Sequence, residues 1–213
     1  MKFLAIDSPV MRVLGRLGDI IILNMIFVVG CIPVITIGTS LSALYAVAMK
    51  MARGEEPSVW KEFWKAYKRN FKQATICWLI MAVVAILLFV DFRIIRVFQG
   101  SMYSVMRVIL AIILGMWILM FQYLFPYIAR FENTVKQTLK NAFLLMVRHL
   151  PWALLLLVIL IASALSIYII PVLLVVIPAV ASIVFDFILE RLFRRYMSPE
   201  DLAREEENDM YAS

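Results

Sequence analysis

Gly18 to Lys50 reads GDIIILNMIFVVGCIPVITIGTSLSALYAVAMK, an apolar run broken in its middle by Pro33-Val34-Ile35-Thr36-Ile37-Gly38. As one straight helix, Ile20 to Met49 would be about 45 Å long against a hydrocarbon core of roughly 30 Å. One upright crossing cannot use it all. Pro33 has no amide hydrogen and disfavours helical geometry at Ile32, while Gly38 supplies backbone freedom, so the helix should stop near Cys31 and restart near Thr39. Extending the first limb back through Val10, Met11, Val13, Leu14 and Leu17 makes it long enough to cross once. The reading is a helical hairpin with spans at 10–32 and 38–51; the alternative is one long, tilted, proline-kinked span.

The rest of the composition agrees with a bilayer. Hydrophobic residues make up 64% of the 213 positions and charged residues 17%, with a mean hydropathy of +0.92, well above the apolar share of a soluble domain. The net charge of +6 comes from residues in the gaps between apolar runs, which speaks of membrane orientation rather than nucleic-acid binding. Cys31 and Cys77 fall at different expected depths and are read as packing residues, not a disulfide. The N-terminal run resembles a signal peptide, but it continues through the Pro-Gly turn and is expected to be retained.

Four further apolar runs follow, at 75–91, 105–127, 152–169 and 172–189, the last two parted by Pro171. The chain is therefore expected to be all-α and polytopic, with five to six transmembrane helices in a single domain over 1–195 and an acidic tail at 196–213. Lys and Arg set the orientation. With a hairpin at the start, 18 basic residues share one side against 3 on the other; with a single first span the division is 15 against 6. Both place the C-terminus in the cytoplasm, and the steeper bias favours six spans with a cytoplasmic N-terminus.

Ser58 to Ala74, SVWKEFWKAYKRNFKQA, places Trp60, Phe63, Trp64, Tyr67 and Phe71 on one helical stripe and five lysines and arginines opposite. It is expected to lie flat at the interface over 58–73, rings at headgroup level and lysines toward anionic lipid; the alternative is a partner-docking stripe. Asn133–Leu150 is a weaker echo, with Val135, Leu139, Ala142, Phe143 and Met146 at helical spacing. Pro126 is expected to kink the preceding span. Ser198-Pro199-Glu200-Asp201 has the pattern of a helix start, and the acidic residues beyond it should be solvated.

The chemical inventory is thin. The single histidine, His149, stands between Arg148 and Leu150 at a membrane entry. No His, Cys or carboxylate cluster has metal-ligand spacing and no glycine loop can cradle a phosphate, so neither an enzyme nor a cofactor protein is expected. The ionisable residues in or near spans are Asp19, Asp91 and Asp186, with Asn24 and Gln122 as polar companions. Structural pairing is the default reading: Asp91 with Arg93, and Asp19 and Asp186 with Arg12, Arg16 or Arg191. The broken first segment adds Thr36 and freed carbonyls, which in transporters can hold a polar ligand.

Asp19, Leu23-Asn24, Pro33-Val34-Ile35-Thr36-Ile37-Gly38, Ala43-Leu44-Tyr45, Phe63-Trp64, Tyr67 and Asn70-Phe71-Lys72-Gln73-Ala74 together resemble the N-terminal signature of the YesL-type family, small integral membrane proteins of bacteria whose domain has no known function. The resemblance is specific over residues 18–75. It implies a multi-pass protein of the bacterial plasma membrane, encoded near carbohydrate transporters, polysaccharide-degrading enzymes and two-component sensors, and it carries no catalytic residue with it. The function this suggests is an accessory or regulatory partner of sugar ABC transporter or sensor kinase subunits; the alternative is a small transporter or substrate-binding component in its own right.

Overall fold

The computed structural model describes residues 9–97 and 100–197. Over those residues it is helical throughout: α1 (Pro9–Gly30), α2 (Ile37–Ala52), α3 (Val59–Ile95), α4 (Ser101–Arg130), α5 (Val135–Arg148), α6 (Leu150–Ile169) and α7 (Ile177–Phe193), with 3-10 turns at Val34–Thr36, Pro171–Val175 and Arg194–Tyr196. Among the described residues four stretches are long and apolar enough to cross a membrane: Val34–Ala52, Val59–Ile95, Met102–Arg130 and Leu150–Ile169. The all-α, polytopic class follows. The start of α1 and its last helix counterpart α7, 22 and 17 residues long, are the two other segments expected to span. The proposed helix start at Ser198 and the acidic tail beyond it lie outside the described residues.

The first apolar block folds back on itself. Pro33 adopts extended geometry (φ −75°, ψ 115°), and Leu23 and Ile26 of α1 pack in one cluster with Ala43, Leu44 and Val47 of α2. That pairing requires antiparallel limbs about a turn near Pro33. The hydroxyl of Thr36 donates toward the Gly30 carbonyl (2.9 Å) and the Pro33 carbonyl (2.8 Å), so the groups released where α1 ends find a partner inside the turn. Gly38 has a different role from the one expected. It already lies inside α2, which begins at Ile37, and a Cβ there would stand 2.5 Å from Trp78 Cβ, 2.7 Å from the Ala74 carbonyl oxygen and 2.8 Å from Phe125 Cε1. What it supplies is room for α2, α3 and α4 to meet.

α3 corrects the expectation of a separate interfacial helix at 58–73. The amphipathic stretch and the span after it are one helix of 37 residues, about 55 Å long at the standard rise. Nothing between Lys72 and Thr75 can break it: no glycine, no proline and no β-branched run. Its first half lies along α2 in antiparallel register, fixed by Thr39 Oγ1 to Thr75 Oγ1 at 2.9 Å near one end and Lys50 Nζ to Glu62 Oε2 at 3.0 Å near the other. Its second half leaves the bundle with α4, and Ile86, Leu87 and Phe89 are 62%, 58% and 66% exposed. Apolar side chains that exposed suit lipid rather than water.

α2 is the post around which the other elements pack, with 56% of its crossing window buried against 11% for α3 and for α6. The larger core joins α4 to α5, α6 and α7 through Tyr123, Leu124, Phe125, Ile128, Met146, Leu156 and Phe193. α4 runs through Pro126 without ending. α5 is capped by Thr134, whose side chain accepts from the Gln137 amide while Gln137 reaches back, a reciprocal box that satisfies the first turn. It docks on α3 through Gln73 Nε2 donating to Thr138 Oγ1 at 2.7 Å, and Phe143, expected on its apolar stripe, is 39% exposed. After α6 the chain does not turn straight into a helix at 172. Pro171 and Pro178 bracket a 3-10 segment, and α7 begins at Ile177 because the second proline, without an amide hydrogen, suits only a first turn.

Candidate functional site

The polar residues expected inside the membrane do not converge. Asn24 is buried and its amide donates to the Leu174 carbonyl, closing the 3-10 segment between α6 and α7. Thr36 serves its own turn. Gln122, also buried, donates to Ile118 one turn back in α4 at 3.5 Å, and Thr39 and Ser42 spend their hydroxyls on neighbouring helix groups. Of the carbonyls in the broken segment, those of Gly30 and Pro33 are taken up by Thr36.

The pair expected between Asp91 and Arg93 is not formed, and Asp186 has no ion pair with Arg16 or Arg191 among the described residues. Asp91 is exposed and, among the described residues, makes no contact with Arg93, since positions two apart on a helix face apart. Asp186 is fully buried and both carboxylate oxygens lack a hydrogen-bond partner among the described residues. Arg191 lies on the exposed side of α7 and cannot reach it. Asp19 is half-buried and shares a hollow with Arg16, Glu55, Glu56 and Phe187; the side chain of Arg12 lies outside the described residues.

The aromatic stripe divides. Phe63 is completely buried, in the cluster that also takes Leu23, Leu44 and Val47, and Trp64 and Tyr67 pack against that cluster. Successive rings touch edge to face or stacked, with centroids 5.7 Å apart for Phe63–Trp64 and 5.1 Å for Trp64–Tyr67, the spacing that favours aromatic pairs. Only Trp60 and Phe71, 60% and 44% exposed, remain for lipid or a partner. Most of the stripe is the face by which α3 holds α1 and α2.

The charged groups gather at one end of the bundle, where α2 and α4 finish and α3 starts. A cleft of about 220 Å³ opens there, lined by Lys50, Arg53, Glu62, Lys65, Arg69 and Arg130 over a floor of Ala46, Met49, Ala66 and Ala129. Lys50 holds Glu62 at 3.0 Å. Glu190 of α7 takes Arg130 at 3.0 Å, Arg194 at 3.6 Å and Arg53 at 3.9 Å, and Arg53 also reaches Glu55 at 2.8 Å. Arg69 donates from Nη2 to the Ala129 carbonyl and from Nε to Asn70 Oδ1, both at 3.3 Å, with Glu132 at 3.9 Å. The hydrogen bond from Lys50, with the nearby charges of Lys50, Lys65 and Arg69, holds the Glu62 carboxyl below its ordinary value, against a smaller opposing effect of burial. Sequence reading missed this cleft. Its charged members are spread over 81 positions, from Lys50 to Arg130, and sequence periodicity relates only those on α3 to one another, as the polar side of the aromatic stripe.

At the α5–α6 corner, His149 Nε2 meets Tyr196 Oη at 3.0 Å and Arg148 lies over the same ring at 5.6 Å. Burial, then the charges of Arg148 and Arg195, lowers the imidazole pKa. No group of three or more His, Cys, Asp or Glu side chains capable of holding a metal occurs among the described residues.

Comparison with known proteins covers part of the chain. The model of the family described as "Protein of unknown function, DUF624" matches residues 20–92, the stretch from the start of the α1 core to the far end of α3. The chain is similar to "Uncharacterized protein YteU" of Bacillus subtilis (strain 168), with 25% identity over 114 residues that cover 53% of this chain and 51% of that protein. It thus spans about half the length of that relative. No solved structure matches.

Proposed function

Taking the YesL-type, DUF624 family as the premise, we propose that this protein is a non-catalytic accessory or regulatory subunit of the bacterial plasma membrane, working beside carbohydrate uptake or sensing machinery. The observation that carries the reading is where the intramembrane polar groups go. Asn24 and Gln122 through their amide nitrogens and Thr36 through its hydroxyl, the residues a substrate-binding component would need in one cavity, bond to backbone carbonyls at separate places, although Asn24 Oδ1 and Gln122 Oε1 are buried without a partner among the described residues. A protein that moves a sugar must offer clustered hydrogen-bond groups to replace its hydration. The association with sugar ABC transporter or sensor kinase subunits rests on the family resemblance alone.

The test is purification of the tagged protein from its native membrane in gentle detergent after growth on plant polysaccharide, with co-purifying chains quantified by mass spectrometry. Stoichiometric recovery of a sugar permease or sensor kinase is expected. Recovery of the protein alone, together with sugar uptake by liposomes containing it, would replace the accessory reading with a transporter.

A further inference from the structure

We propose that the cleft between the ends of α2 and α4 and the first half of α3 binds a phosphate group, with Lys65 and Arg69 as its principal ligands. The two side chains stand one helical turn apart on α3, so they share a face. Arg69 is held at two points, by the Ala129 carbonyl and by the buried side chain of Asn70. Those bonds use two of its five N–H groups and fix the plane of the guanidinium. The remaining donors of a fork held in this way match the paired oxygens of a phosphate. Lys65 lines the same cleft and makes no ion pair among the described residues. The floor of alanines leaves the space open, and the depressed Glu62 carboxyl reports the positive field within it.

The carboxylates nearby do not cancel that field at the α3 wall. Glu62 is engaged by Lys50, and Glu190 and Glu55 sit on the guanidinium groups of Arg53, Arg130 and Arg194 at the other side. Glu132, 3.9 Å from Arg69, has a side chain that is 83% exposed, and a solvated pair of that length contributes little. The phosphate can come from a phospholipid headgroup or from a soluble phosphate ester, since both present the same oxygens.

The test uses the full-length protein in two settings. In micelles of a maltoside detergent, which carries no phosphate, it is titrated with glycerol 3-phosphate by calorimetry, and after extraction from bilayers containing phosphatidylglycerol it is weighed by native mass spectrometry. Saturable binding of glycerol 3-phosphate, weakened about tenfold or more in K65Q/R69Q, assigns the cleft to soluble esters. Phosphatidylglycerol retained by the native chain and lost from that variant assigns it to lipid. K61Q/K72Q removes the same charge from exposed positions of α3 outside the cleft and should bind like the native chain. An equal loss in K61Q/K72Q, or no ligand by either route, overturns the proposal. If K65Q/R69Q loses its helical circular dichroism, K65Q alone carries the test, and unchanged binding there overturns it.

Discussion

Single residues at the α2 crossing and in the cleft carry consequences that can be measured one at a time. Gly38→Ala places a methyl group within 2.5–2.8 Å of Trp78, Ala74 and Phe125, and two of those contacts are to atoms that cannot swing away. Overpacking of this kind costs about 1–3 kcal/mol, so the variant should unfold at a lower temperature in detergent; an unchanged midpoint would mean that the three helices do not meet there. Glu62 makes a pH prediction. Its folded pKa lies below the ordinary 4.5 because of Lys50, so the stability it contributes is complete above the unfolded value and is lost as pH falls through the folded one. The stability gap between the native chain and E62Q should therefore be widest near neutrality and close progressively as pH falls below the ordinary 4.5. A gap that widens toward acid would contradict the pairing.

At the scale of elements, α3 is where sequence and structure part most instructively. Trp60, Phe63, Trp64, Tyr67 and Phe71 were legible as one stripe because their spacing is helical, and that stripe exists. What periodicity does not encode is the surface the stripe meets. Aromatic rings opposite lysines suit an interface with lipid and a groove between helices equally well, and the choice was made by α1 and α2 folding back to cover Phe63. Inserting one alanine after Thr75 rotates the two halves of α3 by about 100°. If the helix is continuous and gripped on both sides of the insertion, by the Thr39 and Lys50 contacts before it and by Cys77, Trp78 and Met81 in the α4 core after it, the insertion should abolish the monodisperse folded species on size exclusion; a hinged, flat anchor would tolerate it. Phe63→Ser should likewise unfold the protein, since it empties a fully buried site at a cost of roughly 3–5 kcal/mol. Trp60→Ser should leave thermal stability within about 0.5 kcal/mol and is the substitution with which to probe a partner.

For the whole molecule, the return of the first apolar block on itself was readable in advance. Pro33 and the length limit on Ile20–Met49 implied a returning hairpin, and the structure brings Asp19 and Arg16 of α1 into one hollow with Glu55 and Glu56, while Arg53 and Arg130 reach Glu190. Four polar segments distant in sequence thus share one end. Cysteines placed singly at 16 and 132 should be labelled from the same side of sealed vesicles and one at 100 from the other; opposite labelling of 16 and 132 would break the hairpin reading. The cleft was not readable, because it is made by side chains from three helix ends whose meeting depends on the crossing at Gly38. Nor was the inward turn of Asp186, which depends on the helix starting at Ile177 and hence on Pro178 rather than Pro171.

That crossing has a mechanical side. α3 is an unbroken rod pinned near its middle, where Ala74 and Trp78 press on Gly38, with one arm along the charged cleft and the other among the exposed apolar faces of the membrane. A rod with a central pivot behaves as a seesaw. Tilting it by about 5° would move tips some 25 Å from the pivot by about 2 Å in opposite directions.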